Sequence, residues 1–183
     1  MDTIMEHGHV AIIGLCVSLG IAIYTDITSH RIPNWLTYST ALFAVLYHSL
    51  TRSTDGFIFS LKGLGIGMLP LMPFFVSGVM GAGDVKLMGA VGAAIGPMRV
   101  LNAFLYTGIV GGIYALVVLL LHRAQLRAFI HRFWIMSKTV FYTGQIAYVP
   151  PSKEEKELKV CYGAAIAIGT MSCLLWEYMG YSV

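Results

Sequence analysis

Residues 57–95 read FIFSLKGLGIGMLPLMPFFVSGVMGAGDVKLMGAVGAAI, an apolar sequence with one carboxylate, Asp84, in its second half. Long apolar stretches of this kind are typical of membrane helices, which need about 20 residues for a full crossing. An ionised side chain at membrane depth is costly, so its default interpretation is functional and a partner should be sought. The obvious partner is Asp26, and the stretch predicts a helical membrane bundle that contains a pair of acids.

The composition supports a membrane setting independently of any motif. Hydrophobic residues make up 57% of the chain and charged residues 11%, and the mean hydropathy is +0.74. A soluble globule of this composition would lack the polar surface to cover itself. We therefore expect an all-α polytopic membrane protein, with residues 1–183 as a single transmembrane domain and membrane lipids as its surroundings. The net charge of +3 is small, and no nucleic-acid partner is expected.

Six apolar runs are the predicted spans, and the fourth is very short. Asp26 lies just past the first run and Asp84 just before the fourth, where solvent can reach both. Pro70 and Pro73 should kink or unwind the third run, because each removes a backbone donor. The runs are Val10–Tyr24, Trp35–Leu50, Phe57–Met80, Val85–Ile95, Val100–Leu121 and Val160–Tyr178.

Small residues recur at four-residue spacing, a pattern that lets membrane helices approach closely. The pairs are Gly63 with Gly67, Gly92 with Gly96, and Gly108 with Gly112. They favour a compact bundle.

Basic residues give the bundle an orientation. With six spans and an outside N-terminus, nine Lys and Arg residues fall on inside segments and three on outside ones, as the positive-inside rule expects. Both aspartates then face the cytoplasm. The long inside connection, residues 122–159, begins either with an amphipathic helix in the headgroup layer or with an extension of the fifth helix.

The surroundings of the two acids differ. Asp84 begins its short helix, where free amides and the helix dipole favour a carboxylate. Gly81 and Gly83 precede it and would let the backbone bend freely or another chain approach closely. A loop of this kind could admit an extended peptide.

Asp26 is followed by basic residues and by a helix start. His30 and Arg31 are close to it in sequence, and Pro33 and Asn34 fall where the second helix begins. Two carboxyls that approach closely share a proton, so that one can activate water while the other donates to a substrate carbonyl. Alternatively, Asp84 only caps its helix and Asp26 only pairs with Arg31 as a topology anchor.

Residues 81–88, GAGDVKLM, resemble the GxGDxKL motif of type IV prepilin peptidases, and Asp26 with the following RIPNWLT at 31–37 resembles their first aspartate motif. The resemblance implies an intramembrane aspartic endopeptidase in a bacterial inner membrane. Asp26 and Asp84 would be its catalytic residues. Its substrate would be a prepilin or pseudopilin, cut at the cytoplasmic face, and it would need no metal and no cofactor.

One departure from the larger family members is informative. They carry a cytoplasmic region with paired cysteines that is associated with methylation of the new pilin terminus, whereas only eight residues separate Asp26 from Trp35 here. No methyltransferase activity is therefore expected. The chain looks like the compact branch that serves tight-adherence (Flp-type) pili.

The remaining candidate residues leave alternatives open. Lys86 contacts substrate or lowers the pKa of Asp84, or else it is an inside-facing anchor. Arg31 holds the leader or tunes Asp26, or is likewise an anchor. Cys16, Cys161 and Cys173 are interpreted as apolar packing residues, because they lie in apolar runs without close pairing.

Two other classes of protein compete with the peptidase. A small transporter or proton-coupled channel would also carry intramembrane acids, but it should have a polar path across the bilayer, and both aspartates are predicted at one face. A catalytically silent pilus-assembly subunit could keep the same bundle. The oligomeric state is not predicted.

Overall fold

The computed structural model of the protein describes residues 9–77, 80–121 and 161–180, and these residues form helices and no strands. The helices are α1 (His9–Ser29), α2 (Asn34–Met68), α3 (Met72–Val76), α4 (Ala82–Ile95), α5 (Pro97–Leu121) and α6 (Tyr162–Tyr178), with a 3-10 turn at Leu69–Leu71. The predicted all-α class is thus confirmed. The amphipathic segment predicted after residue 121, and most of the 122–159 connection, lie outside the described residues.

Three helical stretches in the described part are long and apolar enough to cross a membrane: Val10–Ser29, Asn34–Val76 and Pro97–Val118. The second of them contains the predicted run Trp35–Leu50 and most of the run Phe57–Met80. Ser53 interrupts α2 with φ 52° and ψ −137°, and Gly56 then packs directly on the carbonyl of His48. The chain therefore reverses at Ser53, which makes α2 a helical hairpin with halves 34–52 and 54–68.

The chain divides into two compact units, 1–111 with 161–183 and 112–160. The second unit is described only over residues 112–121, which are helical. All contacts reported below belong to the first unit.

Helix α4 is the buried centre of the first unit. Val85 and residues 87–95 are all buried, although 14 residues span only about 21 Å at 1.5 Å per residue. The hairpin of α2 covers α4, and its second half runs antiparallel to it. Gly63 and Gly92 meet backbone to backbone, and a Cβ on either one would overlap the carbonyl oxygen of the other.

Of the three glycine pairs, two confirm the predicted close packing. Gly67 lies against the carbonyl of Met88 and Gly96 against the ring of Phe59, whereas a Cβ on Gly108 would meet no described atom within 4 Å. Gly108 therefore does not pack closely against the other described helices of the first unit.

Side chains from both halves of α2 hold the C-terminal end of α4. The last carbonyls of a helix lack intrahelical partners, and burial makes that lack costly. His48 Nε2 lies 2.9 Å from the Ala94 carbonyl oxygen, and Ser60 Oγ donates to the Ala93 carbonyl at 2.8 Å. These bonds fix α4 lengthwise within the hairpin.

Helices α5 and α6 lie antiparallel. Gly169 packs against the backbone of Thr107, and Arg99 Nε pairs with Glu177 Oε2 at 3.2 Å. This ion pair and the glycine contact fix the position of α6 along the axis of α5.

Two local expectations can be compared directly with the structure. The predicted disruption at Pro70 and Pro73 is confirmed, because the chain leaves α2 through the 3-10 turn and the short α3. The predicted end of the first run at Tyr24 is too early. Thr25 and Thr28 donate their hydroxyls to carbonyls one turn back in α1, so polar residues continue the helix to Ser29.

Candidate active site

Asp84 lies in the first turn of α4 and closes that turn. Its backbone N–H donates to the Gly81 carbonyl at 3.2 Å, and its Oδ2 accepts from the Gly81 N–H at 3.2 Å. Among the described residues only this oxygen of the carboxylate has a hydrogen-bond partner. The helix-capping role considered from the sequence is therefore real, and it leaves the other oxygen for further contacts.

Asp26 lies inside α1, one turn before its C-terminal end, rather than beyond the helix as predicted. It is 5% exposed, and its Oδ2 accepts a hydrogen bond of 3.1 Å from the backbone N–H of Ala164 in α6. Arg31, its ion-pair partner in the alternative interpretation, is exposed. Within the described ranges the single salt bridge is that of Arg99 with Glu177, so the pairing of Asp26 with Arg31 is not observed there.

The end of α1 brings further groups to Asp26. His30 has φ 48° and donates its N–H to the Asp26 carbonyl at 2.9 Å, which is the left-handed type of helix ending. The Cys161 thiol lies 3.8 Å from the same carbonyl and 3.4 Å from His30 Nδ1. Cys161 is therefore not only an apolar packing residue, because its thiol contacts polar groups at this end of the bundle.

The two aspartates lie at the same end of the bundle and interact electrostatically. Burial, and then the nearby Asp26 carboxylate, raise the pKa of Asp84 from 3.8 to about 6, while the hydrogen bond from Gly81 opposes this rise. Asp84 precedes the apolar run of α4 and lies outside the three membrane-capable stretches. A carboxyl with this pKa is partly protonated near neutral pH.

Ile32 packs against the first turns of α4 and α6, beside the two acids. It is 9% exposed, and its Cβ and Cδ1 lie against Gly83 and Gly163 respectively. Gly83 therefore lies close to Ile32 of the same chain, and the predicted approach of a second chain stays a prediction. The predicted backbone freedom is not used, because Gly81 has φ −75° and ψ 151°, which any residue can adopt, and Gly83 is helical.

The other predicted supporting residues form a second cluster beside the acids. Lys86 Nζ donates to Asn34 Oδ1 at 3.0 Å and lies 4.9 Å from the centre of the Tyr38 ring. Lys86 therefore joins the starts of α2 and α4, and it is not among the groups that shift the pKa of Asp84. Pro33 directly precedes α2 as its N-cap residue.

The first turn of α6 belongs to the site, and the sequence analysis missed it. Gly163 and Ala164 contact the Asp26 carboxylate. Tyr162 is the first residue of this helix. No motif marks this turn, and Ala164 lies 138 positions after Asp26 in the sequence.

The arrangement fits acid and base chemistry between two unequal carboxyls. Asp84 has a raised pKa and is partly exposed, and Asp26 is buried and accepts a hydrogen bond from one amide in the first turn of α6. Within the described part of the chain, no three His, Cys, Asp or Glu side chains come together as a metal site would require.

Comparison with known proteins gives one match. The family model described as the type IV leader peptidase family matches residues 13–116, which are more than half of the chain and include both aspartates. Neither the curated proteins nor the solved structures contain a significant match.

Proposed function

Because the chain belongs to the type IV leader peptidase family, we propose that it is an aspartic endopeptidase of the membrane that removes the leader of Flp-like prepilins. Membership of the family implies prepilin-type substrates. The aspartic mechanism, the roles of Asp26 and Asp84, the Flp class of substrate and the cytoplasmic location of the cut are the proposed parts.

The observation that carries the mechanism is the electrostatic coupling of two carboxyls from distant parts of the chain. Asp84, with its pKa of about 6, serves as the acid that protonates the carbonyl of the scissile bond. Asp26, which accepts a hydrogen bond from the Ala164 N–H, serves as the base that takes a proton from the attacking water. Bond cleavage then returns a proton to the amine that leaves.

The substrate approaches from the exposed side of Asp84. Gly81 and Ala82 are exposed there, and so are Asn34 and Trp35 at the start of α2. An extended leader passes along this rim, with Lys86 and Asn34 as its border. The hydrophobic helix of the prepilin stays in the bilayer against the bundle, which converts cleavage into an effectively intramolecular reaction.

The cytoplasmic location of the site rests on charge. The Lys and Arg distribution of nine inside and three outside favours the orientation in which both acids face the cytoplasm. The inner membrane of a bacterium is the corresponding location. Methyl transfer is not part of the proposal, because the link between Asp26 and Trp35 is only eight residues long.

The test uses the purified chain in detergent with a full-length Flp-type prepilin, and mass spectrometry locates the cut. We expect one new N-terminus just before the hydrophobic helix of the pilin. The control is a second prepilin in which the leader residue next to the cut is replaced. Intact prepilin after prolonged incubation would favour the silent assembly subunit and contradict the proposal.

A further inference from the structure

The carboxylate of Asp26 caps the N-terminal turn of α6, although a helix is usually capped by a residue at its own N-terminus. Ala164 is the third residue of α6, and its amide is one of the four that lack intrahelical acceptors. The N-cap residue Cys161 makes no side-chain cap bond. Asp26 Oδ2 instead accepts from the Ala164 N–H at 3.1 Å, so α1 supplies a cap to α6 across the bundle.

This contact requires the absence of a side chain at residue 163. A Cβ on Gly163 would lie 2.9 Å from Asp26 Oδ2, 3.1 Å from Asp26 Cγ and 2.7 Å from Ile32 Cδ1. Gly163 is itself buried. A methyl group there would have to displace the carboxylate, the isoleucine or the helix.

The helix has little freedom to retreat. Further along α6, Gly169 rests on the backbone of Thr107, where a Cβ would come within 2.5 Å of main-chain atoms. Near its C-terminal end, Glu177 is paired with Arg99. Packed interiors transmit such strain because they contain few voids. The side chains of Asp26 and Ile32 are therefore the groups that would yield.

We propose that the first turn of α6 positions the base of the reaction: the Ala164 amide orients the Asp26 carboxylate, and Gly163 is the residue that permits this approach. The inference rests on the proposed function for the role of Asp26. It adds a third chain segment to the site, one that lies outside both aspartate motifs and beyond the matched residues 13–116.

The kinetic test is Gly163→Ala with prepilin as substrate. A small displacement of a catalytic group can cost about 10- to 100-fold in rate, so we expect kcat to fall in that range while KM stays within about twofold of the wild type. Gly20→Ala is the matched control, because it lies in the same helix as Asp26 and a Cβ there meets nothing within 4 Å. A wild-type kcat for Gly163→Ala would overturn the proposal.

Ile32→Val separates the two contacts of the new methyl group. Valine lacks Cδ1 and so opens the isoleucine side, but it leaves the overlap with Asp26. Gly163→Ala should therefore lower kcat by a similar factor in the Ile32→Val background. Full recovery in the double variant would assign the effect to Ile32 and overturn the role of Gly163 in positioning Asp26.

A stability cycle tests the contact without reference to catalysis. In detergent, Gly163→Ala should lower the unfolding midpoint by more in the wild type than in Asp26→Ala, where no carboxylate is present to be displaced. If Gly163→Ala is too unstable to purify, recovery of its yield by Asp26→Ala is the same signature. Equal losses in both backgrounds, or no recovery, would overturn the contact. If Gly163→Ala costs more in the wild type than in Asp26→Ala, but the wild-type protein leaves prepilin intact, the contact is supported and the proposed function is rejected.

Discussion

Replacement of Asp84 by Asn should change how stability depends on pH. The pKa of Asp84 is about 6 in the folded protein against an ordinary value of 3.8. Between these values the folded state binds more protons than the unfolded state, so wild-type stability falls as the pH rises through this window. Above pH 6 the full cost of the buried charge remains, and below pH 3.8 it is absent. Asn keeps the shape and does not titrate.

The magnitude follows from the shift. About two pKa units at 1.36 kcal/mol each give roughly 3 kcal/mol, and solvent at the partly exposed carboxylate screens this to about 1–2 kcal/mol. Thermal unfolding in detergent at pH 4 and pH 7.5 measures it. The stability of Asp84→Asn relative to wild type should rise by this amount between the two pH values. Asp55→Asn, at an exposed site, is the control for loss of one carboxylate. If the stability of Asp84→Asn minus that of the wild type is constant with pH, or falls as the pH rises, the reasoning is refuted.

Three further predictions concern other features of the molecule. Leader cleavage, measured as kcat/KM against pH, should decline above about pH 6 by up to tenfold per unit as Asp84 loses its proton, and a flat profile from pH 6 to 8 would contradict its role as acid. Gly63→Ala should lower the free energy of unfolding by about 1–3 kcal/mol, because its Cβ would overlap the Gly92 carbonyl. Gly65→Ala is the control and should not lower it, because a Cβ there has open space around it. Equal unfolding midpoints for the two variants would argue against the close contact of α2 with α4. Leader cleavage should also be unaffected by EDTA, since two carboxyls complete the acid and base chemistry, and inhibition reversed by added metal would contradict this.

The sequence predicted those parts of the fold that depend on local composition. The apolar runs identify the helices because burial in lipid or protein requires apolar surface in either case. Pro70 and Pro73 mark a break because a missing N–H acts within one turn. Gly63 and Gly92 marked a close helix contact, although the spacing alone did not tell which helices meet.

Two parts were missed, one because of side-chain bonds within a helix and one because of a contact between distant residues. The end of α1 was placed too early, because the hydroxyls of Thr25 and Thr28 bond within the helix in a way that hydropathy does not register. The contact of Ala164 with Asp26 uses a backbone amide, which every residue except proline carries. Gly163 is one of 20 glycines in the chain, and only the carboxylate above it distinguishes it from the others.

The most direct test of the two-aspartate mechanism is the single-turnover rate of prepilin cleavage by Asp26→Asn and Asp84→Asn, each beside Asp55→Asn and the wild type. Loss of a positioned acid or base typically costs about 100- to 10,000-fold. The account predicts a loss of at least about 100-fold for each of the first two variants and a wild-type rate for Asp55→Asn. Cleavage at the wild-type rate by either Asp26→Asn or Asp84→Asn would contradict it.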